Sequence, residues 1–367
     1  MKPKSNKPSR IVVRGTNWVG DTVISLPALR EVRRIFPEAT IAVWVPKVLE
    51  DLIWATGIAD EVITFDSDFG GPLRRPFKMR GILASRRFDL AILLQNAFES
   101  AFTAWLARVP LRAGYPTDMR GPLLNIKVPQ TVQTRQQHQV FYYFAITDHL
   151  ARHFLGERLP REGDPNCSIA IPQDHMDKAG DLLTEEAGQM AGCVFCLCPG
   201  SVNSDAKRWP AVFYARLADM LIADMDARIV FLGSSGERGL IDGIVSQMQR
   251  PGALNLAGKS DMLASMAMMS LAAMVISNDT GSAHLAVAAS ARVLTIFGPT
   301  SPGATAPFGP SAGIIQGTAS CAPCRHFACP YPDHMCMTRV KPEAILERIR
   351  EIMSGDEAPT CGVFRGK

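Results

Sequence analysis

The sequence carries no readable export signal: its first residues, MKPKSNKPSR, are basic and polar, and the apolar run after them is interrupted by Arg14 and Asp21. Nor does it contain a segment that reads as a membrane span. The charge-free stretch 262–278 is short for one, holds three serines and divides into a helix and a strand. Short repeats and low-complexity tracts are missing, which excludes solenoid and fibrous architectures. Aromatic residues make up only 7% of the chain and form no stacking platform beside its basic segments, so nucleic acid is not an expected partner. Charged residues are held to 20% against 47% apolar, a soluble globular balance. Cysteine is not scarce, but nine of them without an export signal read as reduced thiols or metal ligands and not as a disulfide framework. A cytoplasmic protein is expected.

What is present is alternation. With 367 residues the chain exceeds one comfortable core, and two domains are expected. Residues 11–13 and 41–45 are β-branched runs, and Leu26, Leu29, Val32 and Ile35 between them recur at helical spacing, which makes a βαβ unit on a parallel sheet. Further strands are expected at 61–65 and 90–94. After Pro160 the composition turns polar and proline-bearing, a domain junction. A second alternation follows: strands at 194–197, 228–232, 273–277 and 293–297, and helices at 211–223, from about 237, at 260–271 and at 282–289. The expectation is an α/β chain of two Rossmann-like domains, 1–172 and 173–342, with a C-terminal helix and tail over 343–367.

In open parallel sheets, ligands sit beyond the carboxyl ends of the strands. Polar corners fall there at 15–21, 199–209, 233–237 and 278–284, and domains facing each other across a cleft would line it with all four. At the last corner an apolar run gives way to Asn278-Asp279-Thr280-Gly281 and then to a helix containing His284. Asp279 or Thr280 suits a helix cap, and Gly281 allows close approach to the backbone. The corner is either an ordinary capped turn or a helix N-terminus offering N–H groups and a positive dipole end to a phosphate. In the corner at 199–209, Lys207 is either a solvated loop residue or a cation for a diphosphate leaving group. Asp21, at the start of the first helix, is either a dipole-stabilised capping group or a general base.

Charge is unevenly divided. Residues 1–160 hold 22 Lys and Arg against 14 Asp and Glu, a net of +8, and residues 161–367 hold 17 against 21, a net of −4. Arg74, Arg75, Lys78, Arg80, Arg86 and Arg87 gather in a segment that reads as a loop, with Gly70, Gly71, Pro72 and Pro76. Such a run is either a solvated face or a surface for phosphates or an anionic membrane.

Read together, WVGDTVISLPALR (18–30), PGSVNSDAKRWP (199–210), FLGSSGE (231–237), NLAGKS (255–260), SNDTGSAHLAVA (277–288) and FGPTSP (297–302) resemble the bacterial ADP-heptose:lipopolysaccharide heptosyltransferases of glycosyltransferase family 9. The opening is most similar to the heptosyltransferase II branch, and the resemblance runs from about residue 10 to residue 350. It implies a GT-B fold, with an acceptor-binding N-terminal half and a nucleotide-sugar-binding C-terminal half. It further implies inverting transfer of a heptose from ADP-heptose to a phosphorylated lipid A/Kdo core, by an enzyme in peripheral contact with the inner face of the inner membrane. On that resemblance Asp21 is the general base and Lys207 the cation at the departing diphosphate. Ser201, Glu237, Lys259, Asp279, Thr280, Gly281 and His284 are donor-binding, and Arg74, Arg75 and Lys78 acceptor-binding. No cofactor is expected for catalysis, because a lysine and helix dipoles can take a metal's place at the diphosphate. A sugar-nucleotide epimerase on the same scaffold and a non-catalytic nucleotide-sugar-binding protein are the alternatives.

The segment CAPCRHFACPYPDHMCM adds Cys321, Cys324, Cys329 and Cys336, spaced C-x2-C-x4-C-x6-C, with His326 and His334 interleaved. This pattern reads either as a small structural zinc site or as reduced thiols under the C-terminal helix. Cys193, Cys196 and Cys198, on or beside a buried strand, are expected to be core thiols.

Overall fold

The computed structural model describes residues 7–66, 71–161, 163–185, 192–202 and 204–354. The chain divides into two compact units, Met1–Cys167 and Ser168–Lys367.

The first unit is built on a six-stranded parallel sheet of β1 (Arg10–Arg14), β2 (Thr40–Pro46), β3 (Glu61–Phe65), β4 (Leu90–Leu93), β5 (Leu111–Gly114) and β6 (Ile126–Lys127), ordered β3-β2-β1-β4-β5-β6. The second unit repeats the arrangement with β7 (Val194–Cys198), β8 (Arg228–Phe231), β9 (Ala253–Asn255), β10 (Met274–Asn278), β11 (Val293–Phe297) and β12 (Ala312–Gln316), ordered β9-β8-β7-β10-β11-β12. Each sheet starts in the middle, builds outward to one edge, then crosses back and builds to the other. The crossings lie between β1 and β4 and between β7 and β10, and they are the switch points where a doubly wound sheet opens a crevice.

Apolar runs without alternation produce the inner strands, because both faces of a parallel sheet are covered by helices. Every residue of β7, β10 and β11 is buried. In register, Val12 of β1 lies between Ala42 and Ala91, and Ile276 of β10 between Leu197 and Leu294. In the second unit, Phe195, Trp209, Tyr214, Phe231 and Ile345 join one core, so the helix Pro342–Ser354 is part of this unit's packing. Each fully buried side chain of this kind contributes about 1.5–3 kcal/mol.

The segment expected as a loop around Arg74 to Arg87 is instead the helix Gly71–Ser85, with Pro76 inside it. Pro76, Met79 and Leu83 lie buried at helical spacing, and Met79 and Leu83 enter the first unit's core. That anchoring outweighs the one hydrogen bond that an interior proline removes. Strands β5, β6, β9 and β12 also go beyond the expected set. Cys196 and Cys198 are buried thiols on β7, but Cys193, expected to be a third, is disulfide-bonded. No helix among the described residues is long and apolar enough to cross a membrane.

Candidate active site

In the first unit the corner after β1 leads into the helix Val19–Ile35. Arg14 ends the strand fully buried, donating to the carbonyls of Gly15 (2.6 Å) and Trp44 (3.2 Å) and to Asn17 Oδ1 (2.5 Å). The hydroxyls of Thr16 and Thr22 meet at 2.7 Å and pin the loop to the helix start. Trp18 holds the N-cap position in extended backbone, makes no side-chain cap and is 58% exposed. Asp21 therefore stands in the first helical turn, half-buried, where the dipole favours a carboxylate. It lies close to Tyr143: burial first, then the Asp21 charge, push that phenol well above its usual range, so it stays protonated.

An ionic cluster of buried Arg14 with half-buried Arg75 and Glu99 supports this corner. Arg75 Nη1 lies 3.3 Å from Glu99 Oε1, and its guanidinium stacks 4.5 Å over Phe65. The Arg14 guanidinium lies 4.9 Å from the same ring and 4.8 Å from the Trp44 ring. Burial brings Arg14 down to about 9, still charged at neutral pH, with Glu99 opposing the shift and Arg75 adding to it. Of the three cations expected to act together, Arg74 and Lys78 are exposed one turn apart on the helix, whereas Arg75 is turned inward.

In the second unit the corner after β10 is held by Asn278. Its Oδ1 accepts from the Trp209 N–H (3.1 Å) and the Tyr214 hydroxyl (3.1 Å), and its Nδ2 donates to the carbonyls of Pro199 (2.7 Å) and Gly200 (3.3 Å). One fully buried amide thus ties the end of β10 to the loop after β7. That tie brings Lys207, in the 3-10 turn Asp205–Lys207, onto Asp279: Nζ lies 2.8 Å from Oδ2 and donates to the Asp279 carbonyl at 3.1 Å. Thr300 donates to the same Oδ2 at 2.6 Å. Asp279 is therefore not the helix cap. Thr280 holds the N-cap position of the helix Gly281–Ala288 without a side-chain cap bond; its carbonyl takes the Ala283 N–H at 3.2 Å, which leaves the N–H groups of Gly281 and Ser282 to a ligand or solvent. His284 is buried one turn into that helix.

A second wall stands beside this one in the same unit. Glu237 closes a capping box, its Oε2 accepting from the Ser234 N–H (2.8 Å) and hydroxyl (2.9 Å). The carboxylate lies directly over Gly200, where a Cβ would come within 1.8 Å of Oε1, so any other residue there would push the Glu237 carboxylate aside. Gly258, at φ +71°, donates its N–H to the Gly233 carbonyl at 3.1 Å and backs onto Ser235. Exposed Lys259 is thereby brought beside the Glu237 turn. Buried Ser201 is adjacent, its carbonyl accepting from Arg208 at 2.9 Å.

Cys321, Cys324, Cys329 and Cys336 line one small cavity with His326 and His334. The zinc expectation finds no support: among the described residues no group of three or more His, Cys, Asp or Glu side chains is disposed to hold a metal ion. Burial and the three neighbouring cysteines push the Cys336 thiol up to about 11. His334 Nε2 is taken up by the Ala206 carbonyl at 2.8 Å.

Asn278, Thr300, Tyr143 and Glu99 were not singled out in the sequence. A short polar residue ending an apolar strand is the one signal that Asn278 offered, and the others meet their partners only through tertiary packing.

Two doubly wound parallel sheets, each with polar corners at its switch point, give the chain the fold of the GT-B heptosyltransferase structures. A family model described as glycosyltransferase family 9 (heptosyltransferase) matches residues 77–334, and the chain belongs to this family. It is 27% identical to lipooligosaccharide heptosyltransferase 2 of Haemophilus ducreyi, over 84% of this chain and 88% of that protein. It is 26% identical to lipopolysaccharide heptosyltransferase 2 of Escherichia coli, over 95% of this chain and all of that protein. Among solved structures, E. coli ADP-heptose lps heptosyltransferase II superposes with a TM-score of 0.77 at 24% identity, over 94% of this chain and 98% of the other. The E. coli heptosyltransferase WaaC with ADP-2-deoxy-2-fluoro heptose superposes at 0.67 and 20% identity, over 94% and 99%.

Proposed function

We propose that the chain transfers a heptose from ADP-heptose to the phosphorylated inner core of lipopolysaccharide, by direct displacement with inversion at the anomeric carbon. The observation that carries this reading is the Lys207–Asp279–Thr300 constellation beside an uncapped helix N-terminus. Asp279 holds the Lys207 ammonium in one place, and the N–H groups of Gly281 and Ser282 supply fixed donors. A diphosphate gains charge as its bond to the sugar breaks, and pre-oriented donors favour that state most. Ser201, Glu237, Lys259 and His284 complete the donor site, with Glu237 suited to a ribose hydroxyl.

Asp21 is the general base: it takes the proton from the acceptor hydroxyl as that oxygen attacks, and the ADP oxygen leaves with the bonding electrons. Arg74 and Lys78 meet acceptor phosphates, and Arg75 braces Arg14 and Glu99 beneath them. The enzyme works on the cytoplasmic side, in peripheral contact with the inner membrane that carries its acceptor. Domain limits of 1–172 and 173–342, with a C-terminal helix and tail over 343–367 whose helix packs on the second unit's core, accompany this reading.

Incubation with ADP-heptose, with and without a heptose-deficient lipopolysaccharide, tests it. Acceptor-dependent ADP release supports transfer. Isomerised donor without acceptor marks an epimerase, and an unchanged donor marks a binding protein.

A further inference from the structure

The helices Gly71–Ser85 and Phe98–Leu106 pack side by side and share an exposed aromatic ridge. Phe98, Phe102 and Trp105 recur at i, i+4 and i+7, which puts them on one helical face. Phe98 and Phe102 stack with ring centres 5.6 Å apart, and Phe102 and Trp105 at 6.0 Å. Phe77 reaches across from the neighbouring helix to meet Phe102 edge-on at 6.1 Å. These rings are not core: Phe77 is 61% exposed, Phe98 45% and Trp105 48%, and Leu73, one turn before Phe77, is 86% exposed. A contiguous apolar surface of this kind is rare on a soluble protein without a partner.

The exposed charge that the two helices carry has one sign. Arg74, Lys78 and Arg80 are exposed on the first helix, and exposed Arg108 follows the second, its N–H bonded to the Trp105 carbonyl at 2.9 Å. The two helices hold a single carboxylate, Glu99, and it is turned inward to Arg75. Rings that sit at the level of lipid headgroups, flanked by cations drawn to lipid phosphates, are the two signals that together hold a protein at an anionic bilayer.

We infer that the ridge of Phe77, Phe98, Phe102 and Trp105, with Arg74, Lys78, Arg80 and Arg108 around it, is the surface by which the enzyme docks on an anionic phospholipid bilayer. The inference rests on the reading that the acceptor is lipid-anchored, and it adds which face meets the lipid. Docking by this face keeps the first unit at the membrane, where an acceptor anchored by acyl chains is confined.

The full chain is tested by sedimentation with phosphatidylcholine vesicles, with and without phosphatidylglycerol, and by quenching of tryptophan emission with bromine-labelled lipid chains. Binding is expected to the anionic vesicles and to fall with salt, and bromine quenching is expected to weaken in Trp105→Phe. Phe98→Ser with Trp105→Ser should lower vesicle binding about tenfold or more. The Tm and the turnover of a deacylated acceptor should stay unchanged. Arg80→Glu should weaken binding roughly five-fold or more, the effect of one surface cation. Equal binding of the double variant and the wild type, equal binding to neutral and anionic vesicles, or a self-association in solution that the double variant abolishes, would each overturn the inference. Transfer to a deacylated acceptor without vesicle binding would leave the transferase reading standing and remove this one. Vesicle binding without transfer to any acceptor would do the reverse.

Discussion

The two units have one sheet topology and opposite electrostatics. Both run outward from a central strand, cross back and open a corner at the switch point. In the first unit the cation nearest that corner, Arg14, is buried in a cluster with Arg75 and Glu99, and the group left at the helix start is a carboxylate, Asp21. In the second the carboxylate Asp279 is buried, and what it holds at the surface is a cation, Lys207. The same architecture thus presents a carboxylate from one unit and a cation from the other. The sheets supply positions, and a few residues in the loops decide what each position does.

The comparison breaks most sharply at Asp21. Asp21→Asn keeps shape and removes the proton acceptor, so turnover should fall about 10²–10⁴-fold while ADP affinity, read by calorimetry, stays unchanged. Turnover within a few-fold of wild type would remove Asp21 from the mechanism. If Lys207 meets the diphosphate before and during bond breaking, as proposed, Lys207→Ala should weaken both nucleotide binding and turnover, with turnover lowered on the order of 10²-fold. Lys207→Arg should recover part of that loss, since a fork replaces a point charge. If affinity and rate are both untouched in the alanine variant, Lys207 is a solvated loop residue.

Asn278→Ala sharpens the comparison by acting on the scaffold of one unit alone. It strands the Trp209 backbone N–H and the Pro199 carbonyl inside the protein and leaves the Tyr214 hydroxyl only the Cys198 carbonyl at 3.3 Å, and stability measured by urea unfolding should drop by about 2–4 kcal/mol. A loss within about 0.5 kcal/mol would show that water replaces the amide.

The smallest effect lies in the first unit. Burial, with His153 and Arg152 adding to it, lowers the His149 pKa below the ordinary imidazole value of 6.5. The unfolded chain then binds a proton more readily than the folded one, so this contribution is present above about 6.5 and is lost as pH falls through the lowered folded value. His149→Gln should remove a small part of the Tm decline between pH 7.5 and 5, roughly a degree. The carboxylates Asp60, Asp89 and Asp261 are also lowered, but they titrate below 3.8 and do not enter that window.

The inner strands were legible because they are apolar runs followed by polar corners at a regular interval. The strands that escaped, β5, β6, β9 and β12, are five residues long or shorter and most of them half-exposed, and segments such as Ile126–Lys127 and Ala253–Asn255 have no periodicity to read. Glycine and proline around Arg74 signalled a loop, and what overrode them was the burial of Met79 and Leu83, which only tertiary packing supplies. Lys207 and Asp279 could each be picked out from their corners. Their pairing spans 72 positions and depends on Asn278 tying two loops together. Arg75 looked like its neighbours Arg74 and Lys78, and the difference in direction follows from where Glu99 and Phe65 lie in space.

The central claim is that donor and acceptor react in one displacement, with Asp21 as base. Its most direct test is product analysis with ADP-heptose of known anomeric configuration and a heptose-deficient lipopolysaccharide acceptor, with the new linkage assigned by NMR for the wild type and for Asp21→Asn. The account predicts acceptor-dependent ADP release, a single inverted linkage from the wild type, and almost none from the variant that still binds ADP. A retained configuration, or undiminished product from Asp21→Asn, would contradict it.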